Sequence, residues 1–447
     1  MVAGLPFVSA PGPERPQYHF TAESGWLNDP NGLTFFKGEY HLFFQHNPSG
    51  VEWGNMTWGH AVSRDLVHWK QVENALTPDN LGTMFSGSGV VDKKGTAGFG
   101  PGALLLLYTA AGGTNPESQG KAFSQCLAWS LDGRSFTKFE GNPVLPHLEA
   151  ENRDPKVIWH EPSKKWVMAL YLQGDHYALF GSSDLKSWAK LSDVVMPGTG
   201  ECPDFFPLSL EGDRKTVFWV FSGANGNYRL GSFDGTHFKP IGAVEKSNFG
   251  PNSYAAQTFF NDPKGRRIQI AWMNGSDFKG AGWNQQMSLP RQLTIRNTPM
   301  GAKLFTQPAP EVKALRARKL RAVGPLNGAT RTFATSTGLI EVDAELEVPR
   351  QGSFAISLGQ HTVIIDASKS EVSVDQTKVH LDLTKRTVSL RVFFDKGSIE
   401  AFVQDGLVSI PEFALFGPED LTLRITQAGE WKARRMNVYE LKGALAR

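Results

Sequence analysis

The sequence predicts an all-β protein, a five-bladed β-propeller followed by a C-terminal β-sandwich. Three observations carry this: a turn motif repeated about every fifty residues, short apolar runs between turns, and strict alternation of apolar and polar residues after about Pro310. Long helical patterns are absent.

The repeat reads Ser-x-Asp-(Leu/Gly)-x-x-(Trp/Phe). It occurs at Ser63–Trp69, Ser130–Phe136, Ser182–Trp188 and Ser232–Phe238, and its aspartates Asp65, Asp132, Asp184 and Asp234 lie 67, 52 and 50 residues apart. Four-stranded propeller blades produce such periods. Aspartate and glycine suit a tight turn, and the aromatic is expected to pack between neighbouring blades. Five short runs then read as inner blade strands: Glu39–Asn47, Ala103–Ala111, Lys165–Leu172, Thr216–Gly223 and Arg267–Asn274. The fifth lacks a clear copy of the repeat, and ring closure by an N-terminal strand would account for that.

After a Lys/Arg/Ala-rich stretch come alternating segments such as SFAISLG, TVIIDAS and TVSLRVFFD, with turns every 8 to 12 residues, as in a sandwich. The expected divisions are an N-terminal extension (1–16), the propeller (17–310), a solvated linker (311–324) and the sandwich (325–447).

Composition narrows the function. The 447 residues suffice for two cores, and 30 Phe, 12 Trp, 46 Gly and 27 Pro fit many short strands and turns, with aromatic faces left for sugar rings. A net charge of +2 without a long basic run argues against nucleic acid. Cys126 and Cys202 do not form a disulfide framework, no metal-ligand spacing occurs, and no cofactor is called for. No apolar run reaches the roughly 18 residues that span a membrane. Met1–Pro16 lacks the charged and apolar regions of a leader, so localisation stays open: secreted or periplasmic if a leader was removed, otherwise cytoplasmic. Monomer and dimer are both compatible.

Three acidic residues stand out by context: Asp29 in GWLNDPNG, Asp154 in NRDP and Glu201 in GECPDFFPL. Proline follows each within two positions and fixes the local backbone. Strand order assigns them to the first, third and fourth blades, converging at one end of a central funnel. Glycoside cleavage needs a nucleophilic carboxylate, a second carboxyl that protonates the leaving oxygen, and groups that stabilise a cationic ring. Retention requires the first two about 5 to 5.5 Å apart. Cys202, Phe205 and Phe206 beside Glu201 suggest an apolar setting that would help it keep a proton.

The strings WLNDPNG, RDP and ECP, in that order, resemble the signature motifs of glycoside hydrolase family 32, the β-fructosidases. The resemblance covers nearly the whole chain and implies the same propeller and sandwich. It implies Asp29 as nucleophile, Glu201 as acid/base, and Asp154 beside Arg153 as transition-state stabiliser. It further implies contacts to fructose from Asn28, Gln45, Trp53, Phe85, Ser86, Tyr254 and Trp272, and it makes DKGSIEAFVQDG (Asp395–Gly406) the signature strand pair of the sandwich. The implied substrate is levan, inulin or sucrose, cleaved exo-wise with retention. Fructosyl transfer, an inverting propeller glycosidase and a non-catalytic sugar-binding protein are the alternatives. The last would be expected to have lost a carboxylate, and all three are present.

Overall fold

The computed structural model describes residues 13–149, 151–321 and 330–444. Residues 1–12 of the expected extension, 322–324 of the expected linker and 325–329 at the expected start of the sandwich lie outside them. Among the described residues the elements are strands and three short 3-10 turns.

Blade one comprises β1 (Gly25–Phe36), β2 (Glu39–Asn47), β3 (Thr57–Ser63) and β4 (Lys70–Leu76), paired in that order. Blade two comprises β5 (Thr83–Asp92), β6 (Ala103–Ala111), β7 (Ser124–Ser130) and β8 (Thr137–Lys138). Blade three comprises β9 (Arg153–His160), β10 (Lys165–Gln173), β11 (His176–Ser182) and β12 (Ala189–Val195). Blade four comprises β13 (Asp204–Leu210), β14 (Asp213–Ser222), β15 (Asn227–Phe233) and β16 (Phe238–Lys246). Blade five comprises β17 (Tyr254–Thr258), β18 (Arg267–Trp272), β20 (Arg291–Thr298) and β21 (Gly301–Pro308), with β19 (Trp283–Asn284) set between β18 and β20 in the chain.

The five apolar runs expected as inner strands are instead the second strand of each blade. They are largely apolar because most of their residues are covered on both faces, the exposed start of β14 at Thr216 and Val217 excepted. Leu104 and Leu106 of β6 face blade one, while Leu105 and Leu107 face blade three. A strand buried on both sides loses the polar alternation of a half-exposed one.

Ring closure also differs from expectation. Blade five takes all four of its strands from its own segment, and β1 remains innermost in blade one. The ring closes edge to edge, through parallel pairing of β1 with β19 and backbone bonds joining Leu33 and Phe35 to Phe260.

The repeated motif forms the turn between the third and fourth strands of blades one to four. Each aspartate Oδ1 accepts two backbone N–H groups just ahead, as Asp184 does from Lys186 (2.9 Å) and Ser187 (2.8 Å). The following residue lies in the left-handed region in all four: Leu66 at φ 70°, Gly133 at 75°, Leu185 at 61° and Gly235 at 97°. Phe136 of blade two packs edge-on to Phe43 and His60 of blade one, as an aromatic between blades should.

The sandwich is two six-stranded antiparallel sheets around one apolar core. Arg316–Lys319, placed by the sequence in the solvated linker, pairs with Lys432–Leu441 as an edge strand of one sheet. The string DKGSIEAFVQDG opens on the last residue of the strand Thr387–Asp395 and contains its hairpin partner Ser398–Val403 in that sheet. Their acidic residues meet the propeller. Asp395 accepts the backbone N–H groups of Gln17, Tyr18 and His19, and Glu400 binds Arg291 Nη2 at 2.6 Å. His19 bridges Asp395 and Glu400 at 2.8 and 2.9 Å, all three fully buried.

Candidate active site

The three carboxylates are placed by irregularities at one end of the innermost strands. In β1, Asn28 and Asp29 together oppose the single residue Gln45 of β2. In β9, Asp154 and Pro155 together oppose Leu170. Ser86 is an extra residue in β5 between the partners of Thr109 and Tyr108, and Ala255 with Ala256 in β17 opposes Ala271. Each is a β-bulge, which bends the strand and re-aims a side chain out of the pleat. Proline fits there because it has no N–H to give the ladder. Glu201 stands just before β13, followed by Cys202 in the left-handed region at φ 51°.

The bulges open on a cavity of about 290 Å³, near the lower end of the range for ligand clefts. Asn28, Asp29 and Gln45 line it from blade one, and Phe85 and Ser86 from blade two. Arg153 and Asp154 come from blade three, Glu201 from blade four and Trp272 from blade five. Trp53 stands at the rim, 56% exposed, with its ring edge-on to Phe85. Tyr254 is outside the lining but donates its hydroxyl to Glu201 Oε1 at 3.1 Å. Phe123 and Glu151 also line the cavity and were not among the sequence-derived candidates. Phe123, in the loop before β7, packs on Phe85 of β5, which no local pattern signals. Glu151 lies two residues before Arg153, a spacing that puts side chains on one side of an extended chain, so period two could have found it.

The electrostatics divide the trio. Asp29 keeps access to the cavity while protein atoms crowd it elsewhere. Burial raises its proton affinity, and a hydrogen bond from Ser86 Oγ (2.6 Å) acts against this, as does one from Asn28 (3.2 Å). Asp154 is buried and pushed up to about 7, by burial first, then by the negative charge of Glu201, against the pull of Arg153. The Cys202 N–H donates to Asp154 Oδ2 at 3.1 Å, and its Sγ lies 3.3 Å from Asp154 and 3.6 Å from Asp29. Burial holds that thiol well above its ordinary range, so it is a neutral donor between two carboxylates. Glu201 is ion-paired with Arg153 through Nε (2.8 Å) and Nη2 (2.5 Å). The expected apolar setting is therefore corrected: Phe205 and Phe206 pack into the blade core, and a guanidinium faces the carboxylate. Gln45 is 2% exposed and its Nε2 has no partner among the described residues.

Two family models cover the chain almost end to end. "Glycosyl hydrolases family 32 N-terminal domain" matches residues 19–308, and "Glycosyl hydrolases family 32 C terminal" matches 311–430. The chain belongs to glycosyl hydrolase family 32. Similar proteins include a levanase of Bacillus subtilis (strain 168), 34% identical over 96% of this chain and 70% of its own. Invertase 2 of Saccharomyces cerevisiae (strain ATCC 204508 / S288c) is 33% identical over 86% and 72% respectively. The crystal structure of exo-inulinase from Aspergillus awamori superposes with a TM-score of 0.86 at 29% identity, covering 97% of this chain and 99% of that one. This family 32 protein is a glycoside hydrolase with the propeller and sandwich its sequence predicts.

Proposed function

We propose that this family 32 enzyme releases terminal fructose from β-fructosides, fructans and sucrose among them, by a retaining double displacement at Asp29 and Glu201. The observation that carries the reading is the meeting of Asp29, Asp154 and Glu201 around one cavity of monosaccharide scale. Relatives named levanase and invertase, and a structural neighbour named exo-inulinase, support the substrate class and exo action.

In the first step an Asp29 oxygen attacks the anomeric carbon while Glu201 gives its proton to the departing oxygen. In the second, Glu201 takes a proton from water, whose oxygen displaces Asp29 and frees fructose. Asp29 must be ionised to attack, and the Ser86 and Asn28 hydrogen bonds favour that form. Asp154 and Arg153 are placed to hold ring hydroxyls, and Gln45 Nε2 has a free donor for another. Trp53 and Phe85 at the rim would border the leaving group.

Product analysis on levan, inulin and sucrose tests the reading, with NMR recording which fructose anomer appears first. Free fructose in the retained configuration from the earliest times is expected. Early oligosaccharides would rule out exo action, and the opposite anomer would rule out retention. Fructosyl transfer remains a second reading because the same carboxylates serve it, and one structural neighbour was solved with fructosyl-erythritol. At high sucrose, transfer would yield oligosaccharides in excess of free fructose.

A further inference from the structure

We propose that Glu151 is a positioning residue for the acid/base carboxylate. By holding one edge of the Arg153 guanidinium, it limits how strongly that cation stabilises ionised Glu201, and so sets the alkaline limit of activity. The inference rests on the reading of Glu201 as general acid.

Arg153 is shared between two carboxylates. Its Nε and Nη2 meet Glu201, while Nη1 donates to both the side chain and the backbone oxygen of Glu151, each at 2.9 Å. A general acid must carry a proton, and a bidentate guanidinium favours the opposite state. Glu151 acts against that in two ways: its charge offsets part of the cation, and its two bonds restrain the guanidinium from moving further onto Glu201.

The other groups facing this pair are fixed by the interior. Asp154 lies 3.8 Å from Arg153 Nε. Tyr254 donates to the other Glu201 oxygen, and the Tyr171 ring lies 4.7 Å under the guanidinium. Cys202 links Asp154 and Asp29 behind the pair, and the Tyr177 hydroxyl binds the Gly200 carbonyl. The Glu151 side chain is 69% exposed, whereas that of Asp154 is 4% exposed. Glu201 is 28% exposed, so of the charges around Arg153 Glu151 is the one that dissolved salt reaches most readily.

Removing the Glu151 charge leaves Arg153 committed to Glu201. That favours the carboxylate, and the acid loses its proton at lower pH. The test is the pH profile of kcat/KM on sucrose for wild type, Glu151→Gln, Glu151→Asp and Glu201→Gln, at low ionic strength and in about 1 M NaCl. Glu151→Gln should move the alkaline limb down by about half a pH unit at low salt, with Glu151→Asp staying near wild type. High salt should bring the wild-type limb toward that of Glu151→Gln. An unmoved limb in Glu151→Gln, or a uniform loss at all pH values that salt does not alter, overturns the proposal. If Glu201→Gln keeps wild-type turnover and limb, the acid assignment itself fails. If Glu201→Gln is inactive while the Glu151→Gln limb stays put, only the role of Glu151 fails.

Discussion

Asp29 illustrates what single residues contribute. On the proposed mechanism it must be ionised to attack, yet the protein crowds it, and burial alone would make it a weaker acid. Ser86 compensates with a 2.6 Å hydrogen bond to Oδ2. Ser86→Ala should therefore raise the proton affinity of Asp29 and move the acid limb of kcat/KM to higher pH. A charge-assisted bond of about 1.5 to 3 kcal/mol corresponds to a shift of about one unit or more, so the loss of kcat/KM should appear on the acid limb and fade above it. An unchanged acid limb would mean that Ser86 does not tune the nucleophile. The cavity lining was legible where a motif surrounds it: Asn28, Asp29, Arg153, Asp154 and Glu201 all come from short strings. The Arg153–Glu201 pair was not, because it joins residues 48 positions apart that only blade order brings together. Tyr254 was named from its string, but its reach to Glu201 depends on the approach of blade five to blade four.

At the scale of elements, two devices recur: a turn on the outer side of the blades and a bulge at their inner end. The turn was legible because its aspartate bonds are local. Its left-handed residue was legible only in part, since Leu and Gly alternate there for different reasons. A Cβ on Gly133 would meet His41 Cε1 and Phe36 Cδ1, each at 2.9 Å, so only glycine fits. Leu66 and Leu185 accept the strained backbone and are fully buried in inter-blade clusters. Strain of about 1–3 kcal/mol stands against roughly 2–5 kcal/mol for losing a buried leucine side chain. Leu185→Gly should accordingly destabilise the protein by about 2 kcal/mol net, read as a lower denaturation midpoint. A midpoint equal to or above wild type would show that strain outweighs packing. The bulges were not legible, because a two-against-one count depends on the facing strand. Proline after each carboxylate was the visible trace, and its meaning becomes clear once Leu170 is seen opposite Asp154 and Pro155.

At the scale of the whole molecule, the sandwich is joined to the ring by a buried, mutually neutralising set of charges: Asp395 and Glu400 against His19 and Arg291. His19 and Glu400 are 381 positions apart, so alternation could reveal the sandwich strands but not this junction. Burial would lower His19, but its bonds to Asp395 and Glu400 raise it to about 9; burial would raise Glu400, but Arg291 and His19 lower it to about 2. Because the folded value of His19 lies above its ordinary 6.5, its contribution is complete below that pH and is lost as pH rises toward 9. Glu400 has the opposite sign: its contribution holds above about 4.5 and fades as pH falls toward 2. Thermal stability should thus be greatest between these windows and fall on both sides. His19→Gln should flatten the alkaline fall, and an alkaline slope unchanged in that variant would contradict the assignment. Glu400→Gln leaves Arg291 without its carboxylate, while His19 keeps Asp395, and should cost about 3–5 kcal/mol, seen as a lower melting temperature near neutral pH.

The propeller itself serves the site by bringing strand ends from five blades to one cavity. On the proposed mechanism, Asp29 becomes covalently linked to fructose there. This linkage is tested most directly by mass spectrometry of Glu201→Gln quenched during turnover of a β-fructoside with a good leaving group, which needs no acid in the first step but stalls in the second. A fructosyl adduct on the peptide containing Asp29, absent from Asp29→Asn, is the predicted result. An adduct on another residue, or steady turnover by Asp29→Asn, would contradict it.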